Sequence, residues 1–185
     1  INGKNTVVEE PKIILSNEEI APQNTQIIEV DTKTLNVIDL FCGCGGMSKG
    51  LTDAGLNVIA GIDIWDKAVE SYNKNYHHKA YCADLTQLSP KMFNELYNKE
   101  NKNVDILVGG PPCQGFSIFG KRRFKNTKNY NPLEDDRNDL VKTYFEYIEK
   151  IKPKWIIMEN VNGILNLGDG IYIDFIKKKL KKLNY

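Results

Sequence analysis

The 185-residue chain has an ordinary composition, and this excludes several classes of protein. Hydrophobic residues make up 41% and charged residues 26% of the chain, as is typical of soluble domains, and no apolar run is long enough to cross a bilayer. We therefore expect no membrane association. The formal net charge is only +1, so any attraction to nucleic acid must come from local basic clusters rather than from the overall charge.

The cysteine pattern favours free thiols. Four cysteines occur, at Cys42, Cys44, Cys82 and Cys113. The first two lie too close together for ordinary disulfide geometry, and no C-x-x-C element stands beside a pair of histidines, so we expect no structural metal site. The sequence shows no secretory signal, which favours a reducing compartment.

Residues 1–33 are predicted to form an N-terminal extension. They mix Pro11, Pro22 and polar residues with short apolar pieces, without sustained periodicity. The chain opens at Ile1 without an initiator Met, so we expect the sequence to be trimmed from a longer one. Residues 34–185 are predicted to be one domain, because they provide a sizeable core and no second periodic region.

From Leu35 onward, short apolar strands alternate with helical periodicity. Strands are predicted at residues 35–40, 57–62, 80–82, 104–108 and 155–158. Apolar stripes at helical spacing lie between them, and a last stripe from Ile173 to Leu183 carries lysines on its other surface, which we interpret as a solvated face. This order predicts the α/β fold class, with a doubly wound, mostly parallel sheet.

A glycine-rich turn follows the first predicted strand. The run D-L-F-C-G-C-G-G-M-S-K-G covers residues 39–50 and places Gly43, Gly45 and Gly46 between strand and helix, where a nucleotide-type ligand can approach the backbone. The spacing is neither that of the dinucleotide fingerprint nor that of a phosphate loop, so a ligand without phosphate fits better. A tight turn without any ligand is the alternative.

Two acids follow the next two strands. Asp63 ends the second strand and is a candidate for accepting both hydroxyls of a ribose, while Asp84 follows the third strand and is a candidate acceptor for an adenine amino group. Either acid alone is as compatible with a helix N-cap or a surface loop. Their joint placement after successive strands favours the binding role.

The run G-G-P-P-C-Q-G-F-S, residues 109–117, follows the fourth strand and carries Cys113 on a loop made rigid by two prolines. Such a loop and the glycine turn should face one crevice, because the first and fourth strands of a doubly wound sheet flank its switch point. Glu159 ends the fifth strand at the same edge, where a carboxyl group can hold or donate a proton. Inert packing of the thiol and turn capping by Glu159 are the alternatives.

A basic segment continues the Cys113 loop. Its cations have no acid among them and alternate with Phe119 and Phe124, a pattern typical of phosphate contact, although a flexible solvated loop fits as well. These cations are Lys121, Arg122, Arg123, Lys125 and Lys128.

Taken together, the runs D-L-F-C-G-C-G-G, G-G-P-P-C-Q-G-F-S and M-E-N-V resemble motifs I, IV and VI of the cytosine-C5 DNA methyltransferase family, and D-D-R-N-D-L, residues 135–140, resembles motif V. The resemblance runs from about Leu35 to Tyr185. It implies a Rossmann-like fold that binds S-adenosylmethionine, forms a covalent adduct between Cys113 and a flipped cytosine of duplex DNA, and transfers a methyl group to carbon 5.

Motif position implies roles for particular residues. Cys113 and Glu159 are the implied catalytic pair, and no metal is implied. The implied cofactor contacts are Phe41, Gly43, Gly45, Asp63, Ile64, Asp84 and Leu140. The implied DNA contacts are Gln114, Ser117, Lys121, Arg122 and Arg123.

The resemblance leaves part of the family pattern unmatched. The chain ends before motif VIII, the target-recognition region and the final motifs, so we expect the catalytic fold to be completed by a longer chain or by a second polypeptide. A role in restriction-modification or in epigenetic marking is implied, in the bacterial cytoplasm at the nucleoid or in a eukaryotic nucleus. A tRNA cytosine-5 methyltransferase of the same fold and a non-catalytic regulatory relative are the alternatives.

Overall fold

The computed structural model describes residues 35–88, 92–93, 103–112, 139–166 and 170–185. The predicted N-terminal extension lies outside these ranges. The strands are β1 (Asn36–Leu40), β2 (Asn57–Asp63), β3 (Lys79–Cys82), β4 (Ile106–Gly109) and β5 (Trp155–Met158). The helices are α1 (Gly46–Asp53), α2 (Asp66–Asn75), α3 (Asp139–Ile151) and α4 (Ile171–Lys182), with a 3-10 helix at Asn162–Asn166.

All five described strands form one parallel sheet in the order β3-β2-β1-β4-β5. The chain runs outward from β1 to β3 and then returns to place β4 on the other side of β1. The predicted fold class is therefore confirmed, and the switch point lies between β1 and β4 as expected. Because all strands are parallel, their carboxyl ends meet at one edge of the sheet.

The predicted strand boundaries differ from the observed ones at a few positions. The fourth strand starts at Ile106 instead of Val104. The reason is that the side-chain carboxylate of Asp105 accepts the N–H of Asn36, the first residue of β1, at 2.9 Å. At their carboxyl ends, β2 extends to Asp63 and β4 to Gly109. The fifth strand has the predicted bounds.

Helices cover both faces of the sheet. On one face, Ile38, Leu40 and Leu107 pack with the apolar stripes of α3 and α4, in which Tyr144, Tyr172 and other side chains are fully buried. On the other face, Val37 and Val108 pack with Met47 and Leu51 of α1. The central strands β1 and β4 are mostly apolar because both of their faces are buried. No described helix is long and apolar enough to span a membrane.

One part of the α1 face is uncovered in the described structure. Trp155 and Ile157 of β5 pair in register with Ile106 and Val108, whose side chains are buried, yet they are 38% and 43% exposed. Contiguous apolar side chains at the edge of a sheet require a cover in a stable protein. This row is therefore a surface on which further structure is expected to pack.

The close approach of β4 to β1 yields a stability prediction. A Cβ at Gly109 would lie 2.7 Å from the Leu40 carbonyl oxygen and 2.9 Å from Tyr144 Cε2, so Gly109→Ala must shift packed atoms and is expected to lower the free energy of unfolding by about 1–3 kcal/mol. Urea unfolding measures this.

Gly50→Ala is the matched control. Nothing lies within 4 Å of a Cβ at Gly50 in α1, so this change is expected to raise the free energy of unfolding by about 0.5–1 kcal/mol. Equal effects of the two substitutions would contradict the tight packing assigned to Gly109.

Candidate functional site

The turn after β1 has an unusual backbone. Phe41, Gly43 and Gly45 all have positive φ, at 59°, 54° and 93°. For Phe41 this conformation is strained, and such strain persists only where the surroundings hold it and is concentrated at functional sites. Two backbone bonds fix the turn, from Cys42 N to Ile62 O at 3.1 Å and from Gly45 N to Cys42 O at 2.9 Å.

Asp63, at the end of β2, holds the same turn from the side. Its Oδ2 accepts the Gly43 N–H at 2.8 Å, and its Oδ1 accepts the Trp65 N–H at 2.8 Å. A carboxylate has about four acceptor positions, so each oxygen can accept a further hydrogen bond. The geometry thus brings together two predicted site residues, Gly43 and Asp63, by a contact that the sequence did not reveal.

Ile64 and Trp65 follow Asp63 and present exposed apolar side chains. Their exposed fractions are 68% and 61%, among the largest of the described hydrophobic residues. Ile64 is a predicted contact, whereas Trp65 was missed. The sequence could have indicated Trp65, because a tryptophan in the turn that follows a buried strand belongs to no apolar stripe of a helix or strand.

Asp84 makes local contacts after β3. Its Oδ1 accepts the Thr86 N–H at 2.9 Å and the Thr86 hydroxyl at 2.7 Å, so the carboxylate stabilises the turn in which it stands. Since no helix follows at residues 85–88, this local role corresponds to the surface-loop alternative for this acid. Both bonds from Thr86 go to Oδ1, so Oδ2 makes no bond with Thr86. The binding role of Asp84 stays a prediction.

The ends of β4 and β5 meet through Glu159 and Asn160. A Cβ at Gly110 would lie 3.1 Å from Glu159 Oε2, so the carboxylate packs directly on the backbone that leads to Cys113. Asn160 Nδ2 donates to the Pro111 carbonyl at 3.0 Å, and Glu159 N donates to Gly109 O at 2.9 Å. The sequence placed Glu159 at this edge but did not reveal the bond from Asn160.

A buried acid lies beneath the glycine turn. Asp39 of β1 is 1% exposed, and its Oδ2 accepts the hydroxyl of Ser48, in the first turn of α1, at 2.6 Å. Burial raises the pKa of Asp39 from 3.8 to about 6, the bonds from Ser48 lower it, and the charge of Asp63 raises it. In the sequence, this acid is visible as a carboxylate within the mostly apolar run N-V-I-D-L.

Two tyrosines of α2 and its C-cap enclose the turn from outside. The Tyr72 hydroxyl donates to Ser48 Oγ at 2.8 Å and lies 2.7 Å from His78 Nε2. The Tyr76 hydroxyl donates to the Gly45 carbonyl at 2.7 Å. A Cβ at Gly45 would lie 2.5 Å from the Tyr76 ring, so glycine is required there both for its φ and for space.

Several predicted residues are not placed at this edge. Leu140 is half-buried at the start of α3, and its role as a cofactor contact stays a prediction. Outside the described residues lie the predicted nucleophile Cys113 and the predicted DNA contacts Gln114, Ser117, Lys121, Arg122 and Arg123. Among the described residues, no group of three or more His, Cys, Asp and Glu side chains is placed to hold a metal ion.

Comparison with known proteins decides the family. The family model described as C-5 cytosine-specific DNA methylase matches residues 35–185, most of the chain and all of its described part. The chain belongs to the C-5 cytosine-specific DNA methylase family. The resemblance inferred from the motifs is thereby confirmed.

Two relatives of this chain are bacterial type II methyltransferases. The chain is 34% identical over 153 residues to the type II methyltransferase M.AgeI of Thalassovita gelatinovora, covering 82% of this chain and 33% of the relative. It is 37% identical over 131 residues to the type II methyltransferase M.HindV of Haemophilus influenzae, covering 70% of this chain and 38% of the relative. The methylase chain thus spans about a third of the length of these two relatives.

A solved structure supports the methylase fold. A DNA modification methyltransferase encoded within an E. coli prophage superposes with a TM-score of 0.62 at 29% identity, covering 80% of this chain and 37% of that protein.

The raised pKa of Asp39 makes stability depend on pH. Because the folded-state pKa of about 6 lies above the ordinary 3.8, the fold favours the protonated carboxyl, and that stabilisation is complete below pH 4 and lost as the pH rises through about 6. Asn cannot ionise, so Asp39→Asn should gain about 2–3 kcal/mol in unfolding free energy relative to the native methylase between pH 4 and pH 7.5.

Urea unfolding at a series of pH values measures this gain. Asp53→Asn is the control, because Asp53 is 60% exposed on α1 and, within the described residues, pairs with Lys49 along the helix. A difference between Asp39→Asn and the native chain that stays constant across the pH range would contradict the buried charge.

Proposed function

We propose that this chain is the cofactor-binding and catalytic portion of a DNA cytosine-C5 methyltransferase that uses S-adenosylmethionine. The observation that carries the proposal is the contact between Glu159 and Gly110, reinforced by the bond from Asn160 to Pro111. It joins the Glu159 carboxylate to the backbone at Gly110, which precedes the thiol Cys113 in the sequence. On this proposal, Cys113 reacts at the same edge of the sheet as Glu159 and the glycine turn.

The residues around the turn fit S-adenosylmethionine. Nothing lies within 4 Å of a Cβ at Gly43 or Gly46, which leaves open space over the turn. Asp63 retains acceptor capacity for ribose hydroxyls, and the exposed side chains of Ile64 and Trp65 offer an apolar surface to an adenine ring. When bound, S-adenosylmethionine supplies an electrophilic methyl group.

The chemistry of the protein residues follows from their types. The Cys113 thiolate adds to carbon 6 of cytosine, while Glu159 holds a proton at nitrogen 3, so that electron density moves to carbon 5 and makes it nucleophilic. After carbon 5 has accepted the methyl group, which leaves S-adenosylhomocysteine, its proton passes to solvent and the Cys113 thiolate is expelled from carbon 6. Glu159 takes back the proton of nitrogen 3, and the aromatic ring is restored. Because both ring faces must be reached, the base leaves the duplex.

The remaining parts of the proposal concern DNA and the rest of the enzyme. Gln114, Ser117, Lys121, Arg122 and Arg123 continue the catalytic loop and supply donors and charges for the DNA backbone. The row formed by Trp155 and Ile157 receives the remaining part of the enzyme, either in a longer chain or in a second polypeptide. The type II relatives support a role in restriction-modification.

The deciding experiment measures transfer of labelled methyl from S-adenosylmethionine to mixed-sequence duplex DNA and to tRNA. It uses this chain alone and the longest product of its gene. We expect labelling of DNA by the longer product, and no labelling by either product after Cys113→Ala. Covalent trapping on a duplex that contains 5-fluorocytosine should be lost with the same substitution.

Three results would overturn the proposal. Full activity of Cys113→Ala would remove the covalent mechanism, and labelling of tRNA alone would change the substrate class. Cofactor binding without transfer to either nucleic acid would indicate a non-catalytic relative.

The cofactor part of the proposal has its own test. Asp63→Ala removes the acceptor of ribose hydroxyls and the support of Gly43, so the dissociation constant for S-adenosylhomocysteine should rise by about tenfold or more, measured by isothermal titration calorimetry. Asp53→Ala, which removes an exposed acid on α1, should leave it within about twofold. Equal affinities of the two variants would exclude Asp63 from the cofactor site.

A further inference from the structure

A chain of hydrogen bonds runs from the surface to the acid beneath the glycine turn. It links His78 Nε2 to the Tyr72 hydroxyl at 2.7 Å, Tyr72 to Ser48 Oγ at 2.8 Å, and Ser48 to Asp39 Oδ2 at 2.6 Å. Tyr72 and Ser48 are 0% and Asp39 is 1% exposed, whereas His78 is half-buried. Asp39 and Ser48 belong to the glycine-rich run of residues 39–50, whereas Tyr72 and His78 lie outside every motif, and the proposed chemistry uses none of the four.

The charge on Asp39 determines the direction of every bond. An ionised carboxylate only accepts, so Ser48 must donate its single hydroxyl proton to Asp39. Tyr72 must then donate its proton to Ser48, and the Tyr72 oxygen is left as an acceptor. His78 must therefore carry a hydrogen on Nε2, which fixes its tautomer.

The same side chains hold the turn in place. The Tyr72 ring would lie 2.8 Å from a Cβ at Gly45 and 3.1 Å from a Cβ at Gly61, and it stacks on Tyr76 with ring centroids 4.5 Å apart. Tyr76 in turn bonds the Gly45 carbonyl. A shift of the Tyr72 hydroxyl therefore moves groups that touch the turn directly.

The buried acid at the end of this chain of hydrogen bonds lowers the stability of the fold. A buried carboxylate is unfavourable, and an uncharged side chain at position 39 would avoid the desolvation that raises its pKa. Features that lower stability are concentrated at functional sites, because selection for activity retains them there.

We propose that Tyr72 and His78 are positioning residues, which act through Ser48 and Asp39 to hold the turn at residues 41–46 in its cofactor-binding geometry. This inference rests on the proposed function of the turn. It adds two residues outside the motifs to the cofactor site. Neither residue touches the cofactor in this role.

The inference predicts a pH dependence. Below about pH 6 Asp39 gains a proton, so its carboxyl can donate as well as accept, the direction of the hydrogen bonds is no longer fixed, and cofactor affinity falls. Burial and the nearby His77 lower the pKa of His78, which keeps its ring neutral at physiological pH. The other groups that influence Asp39 electrostatically, or are influenced by it, are Cys42, Asp63, Tyr72 and Tyr144.

The first test reads the tautomer without any cofactor. Nitrogen-15 chemical shifts of the histidine rings at pH 7.5 should show His78 with its hydrogen on Nε2, assigned by loss of the signal in His78→Gln. A hydrogen on Nδ1 alone would reverse the bond to Tyr72 and overturn the donor chain.

The second test measures the dissociation constant for S-adenosylhomocysteine by calorimetry from pH 5 to pH 8. Tyr72→Phe should weaken binding about tenfold at pH 7.5 and move the acid-side loss of affinity to higher pH, because Asp39 loses support for its charged form. His78→Leu should change the affinity and its pH dependence in the same way as Tyr72→Phe. His78→Gln, which retains a donor in the place of Nε2, should bind as the native protein does.

Tyr185→Phe is the matched control, since the Tyr185 hydroxyl bonds the Pro153 carbonyl at the opposite edge of the sheet. A Tyr72→Phe variant with the affinity and pH profile of this control would overturn the positioning role alone. A native protein that binds no S-adenosylhomocysteine would overturn the cofactor assignment and the positioning role together. If a variant fails to fold, the tautomer measurement on the native protein still decides the donor chain.

Discussion

The parallel pairing of β1 with both β2 and β4 is the constraint on which the rest of the structure depends. It places β1 at the centre of the sheet, with Val37, Ile38 and Leu40 completely buried. At the carboxyl end of this strand, the polypeptide leads to helices on either side of the sheet, so a crevice opens above the strand. The glycine turn, Asp63 and Glu159 all stand at that end, because parallel strands deliver their carboxyl ends to one edge.

Two energetically unfavourable features of the fold lie at or directly beneath the turn after β1. Phe41 is held at positive φ, and Asp39 is a carboxylate almost without solvent contact. Bonds from three separate elements compensate these features, since Asp63 of β2, Ser48 of α1 and Tyr76 after α2 each hold the turn or its base. A turn that is strained and bonded in this way is rigid, which suits a binding site whose geometry must not change when a ligand arrives.

The exposed apolar row on β5 agrees with the comparison of chain lengths within the family. The chain covers about a third of two type II methyltransferases, and the described sheet leaves Trp155 and Ile157 without a cover. Apolar surface at a sheet edge is stabilised only when another element removes it from water. The site residues Glu159 and Asn160 directly follow β5, the strand that carries this exposed apolar row.

The sequence by itself determined the order and type of the elements, the parallel sheet, and the positions of the glycine turn, Asp63 and Glu159, because hydrophobic period and turn composition are local properties of the chain. It also identified the family, since the motifs are contiguous runs. Only the tertiary structure decided which distant side chains meet: Asp63 with Gly43, Glu159 with Gly110, and Tyr72 with Ser48. Such contacts depend on strand register and on helix packing across the sheet, which no local pattern encodes. For the same reason, the conflict between the apolar strand β1 and its buried acid was visible in the sequence, whereas its resolution by Ser48, Tyr72 and His78 was not.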